Sequence, residues 1–177
     1  MALKYPPLLL KYLKMFQEDP QSKVFAPLAE CYRKIGLCDE AIRICHEGLA
    51  HHPDFVSGKV ALARAYFDKK NFRLVCETLR TEVDRVPDNL VAQKLFAEAS
   101  LALGEFAAAL KSYKMYLYFN PQDIDVARIA HDLEVRLYTS EGPNGLKTVS
   151  LPEKQSVQRL TRLQDLLERV QRHSLSN

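Results

Sequence analysis

The sequence predicts an all-α protein built from repeated helical hairpins, and three observations carry that expectation. Glycine is scarce, 6 residues in 177, and no alternation of apolar and polar residues is sustained, which disfavours sheets and glycine-rich phosphate loops. Pro53, Pro87 and Pro121 stand 34 residues apart both times. Further positions keep the same stride: Leu28, Leu62 and Phe96; Ala29, Ala63 and Ala97; Ala41, Val75 and Ala109. A fixed period of this length marks stacked supersecondary units.

The elements follow in order. A leading helix is expected over 7–18, within a segment 1–21 that resembles the second half of a truncated repeat. Pro6-Pro7 open it, Leu8, Leu9, Tyr12, Leu13 and Phe16 give it one apolar face, and Asp19-Pro20 end it. Six helices come next, over 22–35, 39–51, 56–69, 72–85, 90–103 and 106–119. They pair into repeats 22–55, 56–89 and 90–122. Gly36 and Gly104 mark turns, where a helix C-terminus favours a left-handed residue, and Lys70 stands at the equivalent position between them. Each closing Pro cannot continue the helix before it and suits the start of the next. A capping helix over 123–138 carries Asp123, Asp125, Arg128, His131, Asp132, Glu134 and Arg136, the polar outer face a terminal unit needs. Residues 139–152, with Gly142-Pro143-Asn144-Gly145, read as a linker. The last element is an amphipathic helix at 153–172 within the tail 153–177.

The stride, the spacing of small and aromatic residues and the closing Pro resemble the tetratricopeptide repeat (TPR) family over residues 22–138. The resemblance implies a right-handed α-α superhelix whose first helices line a concave face. Phe25 stands where the family often has Trp, with Lys59 and Gln93 at the equivalent sites. Cys45, Leu79 and Tyr113 share its large apolar site in the second helix. Gly48, Glu82 and Tyr116 replace its usual small residue, which implies looser packing there.

The same resemblance indicates which side chains face inward. From the first repeat these are Lys23, Ala26, Glu30, Arg33 and Lys34. Ser57, Val60, Arg64, Phe67 and Asp68 follow from the second, and Val91, Lys94, Glu98, Leu101 and Ala102 from the third. The capping helix adds Asp125, Arg128, Asp132 and Val135. The expected partner-binding groove is Val60, Arg64, Phe67, Val91, Lys94, Glu98, Leu101, Arg128 and Asp132. Its apolar members supply burial and its charges set the partner's register. Family members that grip the C-terminal carboxylate of heat-shock chaperones use Lys and Asn, then Asn, then Lys and Arg. The matching positions here are Ala26 and Glu30, Ala61, then Val91 and Leu95. A carboxylate clamp is therefore not expected.

The C-terminal segment has an apolar stripe, Val157, Leu160, Leu163, Leu166, Leu167 and Val170. A lone helix of this length is marginal in water, so the stripe needs a surface, in its own chain, in another or at a membrane interface, the last disfavoured by a small basic excess and no Trp or Phe. Asp165→Arg169 and Glu168→Arg172 are favourable pairs on the polar side.

Chemistry is hard to defend. Cys31, Cys38, Cys45 and Cys76 form no C-x-x-C pair and fit no compact zinc module, so they are expected as buried, reduced thiols. The five histidines are expected at the surface or at helix ends. No catalytic triad, carboxylate pair or phosphate loop is present in the pattern, so no enzyme, no metal and no cofactor are expected. A formal charge of +3 is too small to suggest nucleic-acid binding. No apolar run approaches the roughly 18 residues of a membrane span. The N-terminus lacks a signal-peptide pattern, and with reduced thiols this points to the cytoplasm.

The functional expectation is a non-enzymatic adaptor or scaffold holding another protein in the concave face, with regulation by its own C-terminal helix. The chain is similar to bacterial TPR-only proteins, which implies small GTPases and components of polarity, motility, pili or secretion as partner classes. The alternative is a self-assembling homodimeric module that uses the C-terminal helix.

Overall fold

The structure, a computed structural model, describes residues 6–140. Eight α-helices follow one another there, with no strand among the described residues. They are α1 (Pro7–Glu18), α2 (Phe25–Lys34), α3 (Cys38–His51), α4 (Val56–Asp68), α5 (Phe72–Arg85), α6 (Leu90–Ala102), α7 (Phe106–Phe119) and α8 (Ile124–Ser140). Consecutive helices pack on each other, and α4 packs in addition on α2 and on α6. The first helices of the hairpins thus form one continuous layer.

The 34-residue stride is physical as well as textual. At the three hairpin turns Gly36 and Gly104 adopt left-handed φ of 83° and 79°, and Lys70 does so at 58°. The hydrogen bonds repeat with them. Leu37 N–H donates to Tyr32 O at 3.0 Å, Asn71 N–H to Tyr66 O at 2.9 Å and Glu105 N–H to Ser100 O at 2.8 Å. The preceding N–H bonds back as well, from Gly36 to Arg33 O, Lys70 to Phe67 O and Gly104 to Leu101 O. This double closure satisfies the last helical carbonyls. The residues before the three prolines also coincide: His52, Val86 and Asn120 have φ between −133° and −130° and ψ between 68° and 72°. A following Pro pushes its predecessor out of helical space, so the same residue type stops each second helix in the same way.

Two predicted boundaries shift by two residues or more. The first hairpin helix starts at Phe25 rather than 22, because Asp19 ties the preceding residues into a turn. Its Oδ1 accepts from Gln21 N–H and its carbonyl from Ser22 Oγ. At the other end α8 continues to Ser140, past the predicted 138. The rest of the linker and the segment 153–177, with the stripe Val157, Leu160, Leu163, Leu166, Leu167 and Val170, lie outside the described residues.

The core follows the repeated positions. Leu28, Ala29, Leu62, Ala63, Phe96 and Ala97 are buried, as are Ala41, Val75 and Ala109 on the facing helices. Looser packing at Gly48, Glu82 and Tyr116 does not occur. Phe25, fully buried, lies over Gly48 so closely that a Cβ there would sit 2.1 Å from its Cγ. The bulky ring of α2 fills the space that the small residue of α3 leaves. In the next repeat the equivalent pair, Lys59 and Glu82, forms an ion pair at 2.7 Å. In the third, Gln93 Nε2 donates to Val83 O at 2.7 Å and to Pro87 O at 3.4 Å.

Two further expectations need correction. Only Cys45 and Cys76 are buried, while Cys31 and Cys38 are half-buried. All four thiols are free, and burial pushes the Cys45 thiol up to about 12. The outer side of α8 is less polar than predicted: Ile124, Val135 and Tyr138 are exposed on it beside the charges. No helix among the described residues is long and apolar enough to cross a membrane.

Candidate partner-binding groove

The layer of first helices carries two adjoining hollows that share Arg64 and Val91. The first, about 350 Å³, lies between α2 and α4. Ala26, Pro27 and Glu30 contribute from α2, Ser57, Val60, Ala61 and Arg64 from α4, and Asn89 and Val91 from the start of α6. The second, about 360 Å³, is lined by Arg64, Leu90, Val91, Lys94, Leu95, Glu98 and, from α7, Tyr116. Both are open to solvent on one side, and Val91 between them is 42% exposed. An aliphatic side chain displayed this way on a rigid helix can take up the apolar face of another chain.

Charges around the hollows are mostly matched within the fold. Arg33 grips Glu30 with two N–H groups, Nε to Oε2 at 2.9 Å and Nη2 to Oε1 at 2.7 Å. Its Nη1 donates to Asp68 Oδ2 at 2.7 Å, and Arg64 Nη1 donates to Glu30 Oε1 at 3.2 Å. These four side chains stitch α2 to α4, one repeat apart. The Arg33 hydrogen bond, against the opposing effect of burial, holds the Glu30 carboxyl below its ordinary value.

A second network closes the far side. Asp123 caps α8, its Oδ1 accepting from Val126 N–H at 3.1 Å. Its Oδ2 accepts from Tyr116 Oη at 2.9 Å and from Lys94 Nζ at 3.3 Å. The Lys94 ammonium also lies 5.3 Å from the Tyr116 ring centre. Chiefly the Val126 amide, and then Tyr116, keep the Asp123 carboxyl below its usual range. Glu98 differs: burial raises its carboxyl, and Lys94 opposes this only by its charge at a distance.

Of the nine predicted groove residues the structure brings five to the hollows: Val60, Arg64, Val91, Lys94 and Glu98. The other four line neither. Phe67 sets its ring edge-on to Phe72 of α5 at 5.3 Å and is half-buried in the hairpin core. Leu101 is half-buried against the core shared by α6, α7 and α8. Arg128 and Asp132 are exposed on α8, beyond the hollows. The position within the helix decides this: Phe67 and Leu101 lie in the last turn, where a side chain reaches the next helix rather than the open face. Sequence reasoning missed Leu90, Tyr116 and Asp123. Tyr116 sits on a second helix, at a position read as packing within the hairpin, and no local signal shows that its ring reaches the hollow.

All five positions of the family's carboxylate clamp, Ala26, Glu30, Ala61, Val91 and Leu95, line these hollows. None supplies a donor to a carboxylate, and Glu30 would repel one. Among the described residues no group of three or more His, Cys, Asp or Glu is placed to hold a metal ion.

No protein-family model matches the chain, and no curated protein matches it. Solved structures do. The chain is 23% identical to MamA of AMB-1, with a TM-score of 0.65, over 77% of this chain and 81% of that one. It is similar to the first TPR of Spaghetti (RPAP3) bound to the HSP90 peptide SRMEEVD. There the TM-score is 0.61 and the identity 23%, over 67% of this chain and 94% of the other. The thermophilic TPR protein TTC0263 of Thermus thermophilus aligns at a TM-score of 0.59 and 17% identity, over 74% of this chain and 73% of that one.

Proposed function

We propose that this tetratricopeptide-repeat solenoid is an adaptor that holds a peptide or helix of another protein along the inner layer of α2, α4 and α6. One observation carries the reading: two contiguous hollows with apolar floors meet at the exposed Val91, beside α2 and α4, which hydrogen-bonded ion pairs lock together. A pre-organised face of this kind loses little entropy on binding. The TPR of Spaghetti (RPAP3) bound to a peptide is a precedent for the mode, though the clamp residues differ. The role is binding rather than catalysis. Small GTPases and components of polarity, motility, pili or secretion are the partner classes that the resemblance suggests. A cytoplasmic location and regulation by the amphipathic segment 153–177 rest on the sequence pattern alone.

The test is site-specific photo-cross-linking in the source cell. A benzophenone side chain in place of Val91 is expected to give one or a few discrete protein adducts. The same group in place of Lys111, exposed and paired with Asp84 of α5 at 2.7 Å, is expected to give none of them. The same adduct pattern from both positions removes the groove from consideration.

A second reading, self-assembly into a homodimer, is favoured by Tyr118, Phe119, Ile124 and Tyr138, exposed at the C-terminal end of the described solenoid. It predicts a dimer mass by light scattering at micromolar concentration, and a monomer for Ile124→Glu combined with Tyr138→Glu. A monomeric parent protein ends that reading.

A further inference from the structure

The second hollow has an uneven charge balance. Three charged side chains, of both signs, line it: Arg64, Lys94 and Glu98. Both cations are committed elsewhere. Arg64 hydrogen-bonds Glu30 on α2, and Lys94 turns away to Asp123 at the start of α8. Lys94 stands one turn before Glu98 on the same helix, a spacing at which the two could have paired. It does not use it, because Asp123, already fixed by Val126 and Tyr116, offers a better-ordered acceptor. Glu98 makes no hydrogen bond and no ion pair among the described residues, yet it is half-buried beside Leu95. A half-buried carboxylate without a donor is costly, and one in the wall of an open apolar hollow attracts a cation.

We propose that this hollow takes a basic apolar segment of the partner, with a Lys or Arg side chain against the Glu98 carboxylate and aliphatic side chains on Leu90, Val91 and Leu95. The inference rests on the reading of the inner layer as the partner site and adds the chemistry of the occupant. An acidic segment fits poorly. It would meet Glu98 directly, and it could use Arg64 or Lys94 only by taking them from Glu30 or Asp123. The chain as a whole carries +3, so its long-range field favours acidic ligands. A preference for basic ones would therefore report the local site.

Three fluorescein-labelled amphipathic peptides of about 15 residues serve as probes, sharing one leucine stripe and carrying Lys, Gln or Glu beside it. Binding is read by anisotropy on the full chain. The Lys peptide is expected to bind at least about tenfold more tightly than the Glu peptide. Glu98→Gln is expected to cut that ratio below about threefold, and Glu98→Lys to reverse it. Val91→Glu is expected to weaken the uncharged Gln peptide. Circular dichroism confirms that each variant keeps its helices. Equal binding of all three peptides overturns the inference. A Lys preference that survives Glu98→Gln does the same. If all three bind equally but Val91→Glu still weakens the uncharged Gln peptide, the groove stands and only the basic partner falls. Absence of binding by every peptide overturns the basic partner too, and leaves the groove to the cross-linking result.

Discussion

Phe25→Ala is expected to destabilise the solenoid by about 3–5 kcal/mol, the range for deleting a fully buried aromatic side chain. The ring is the joint between α2, α3 and α4. It covers Gly48 of α3, would touch a Cβ at Gly58 of α4 at 2.6 Å, and meets Phe55 edge-on at 5.6 Å. The cavity left behind has little to collapse onto, because both facing positions are glycine. Urea unfolding followed by circular dichroism measures the loss as a shift in midpoint. A complementary change fills the site from the other side. Gly48→Ala alone is expected to cost about 1–3 kcal/mol by overpacking, and less when combined with Phe25→Leu. A cycle in which the two changes simply add would mean that ring and glycine are not coupled. A loss below about 1 kcal/mol for Phe25→Ala would mean that the ring is not the joint at all.

Lys59→Met is expected to cost about 2 kcal/mol, although lysine is ordinarily a replaceable surface residue. Its ammonium meets Glu82 Oε1 at 2.7 Å, and the Glu82 side chain is only 2% exposed. Arg85 Nη2 lies 3.0 Å from the other oxygen, which accepts no hydrogen bond, and Thr81 Oγ1 donates to Oε1 at 3.4 Å, so Lys59 supplies the shortest of three contacts. Removing it takes the closest cation from a buried carboxylate and leaves it Arg85 and the long Thr81 contact. The double variant Lys59→Met with Glu82→Leu removes the charge as well as its partner. It is expected to recover most of the loss, because a buried ion pair gains little over apolar residues of similar volume. Urea midpoints of the two variants decide the matter. A double variant no better than the single one would show that the loss does not come from the Glu82 carboxylate.

These two sites occupy one position in successive repeats, and they show where the sequence was legible. Phe25 and Gly48 stand 23 residues apart, as do Lys59 and Glu82. Each pair fills the same gap in the hairpin by different chemistry, size against absence in one and charge against charge in the other. Taken singly, Gly48 and Glu82 look like departures from a small-residue rule and suggest loose packing. The compensation is visible only when both helices of the hairpin are brought together. The groove divides similarly. Val60, Arg64, Val91, Lys94 and Glu98 were legible because the family resemblance indicates which positions of a first helix face inward. Phe67 and Leu101 share that side, yet each lies at a helix end and packs on the next helix.

By itself the sequence determined the all-α class, the 34-residue stride and the turn positions. All of these rest on local physics: the helical period, the missing N–H of proline and the left-handed closure repeat wherever their residues repeat. Only the tertiary structure decided which inward residues remain available. Arg64 and Lys94 are taken by Glu30 and Asp123, 34 and 29 residues away, and Glu98 is left without a donor among the described residues. Charges find partners through space, and the distance between two stacked helices is not written in either of them.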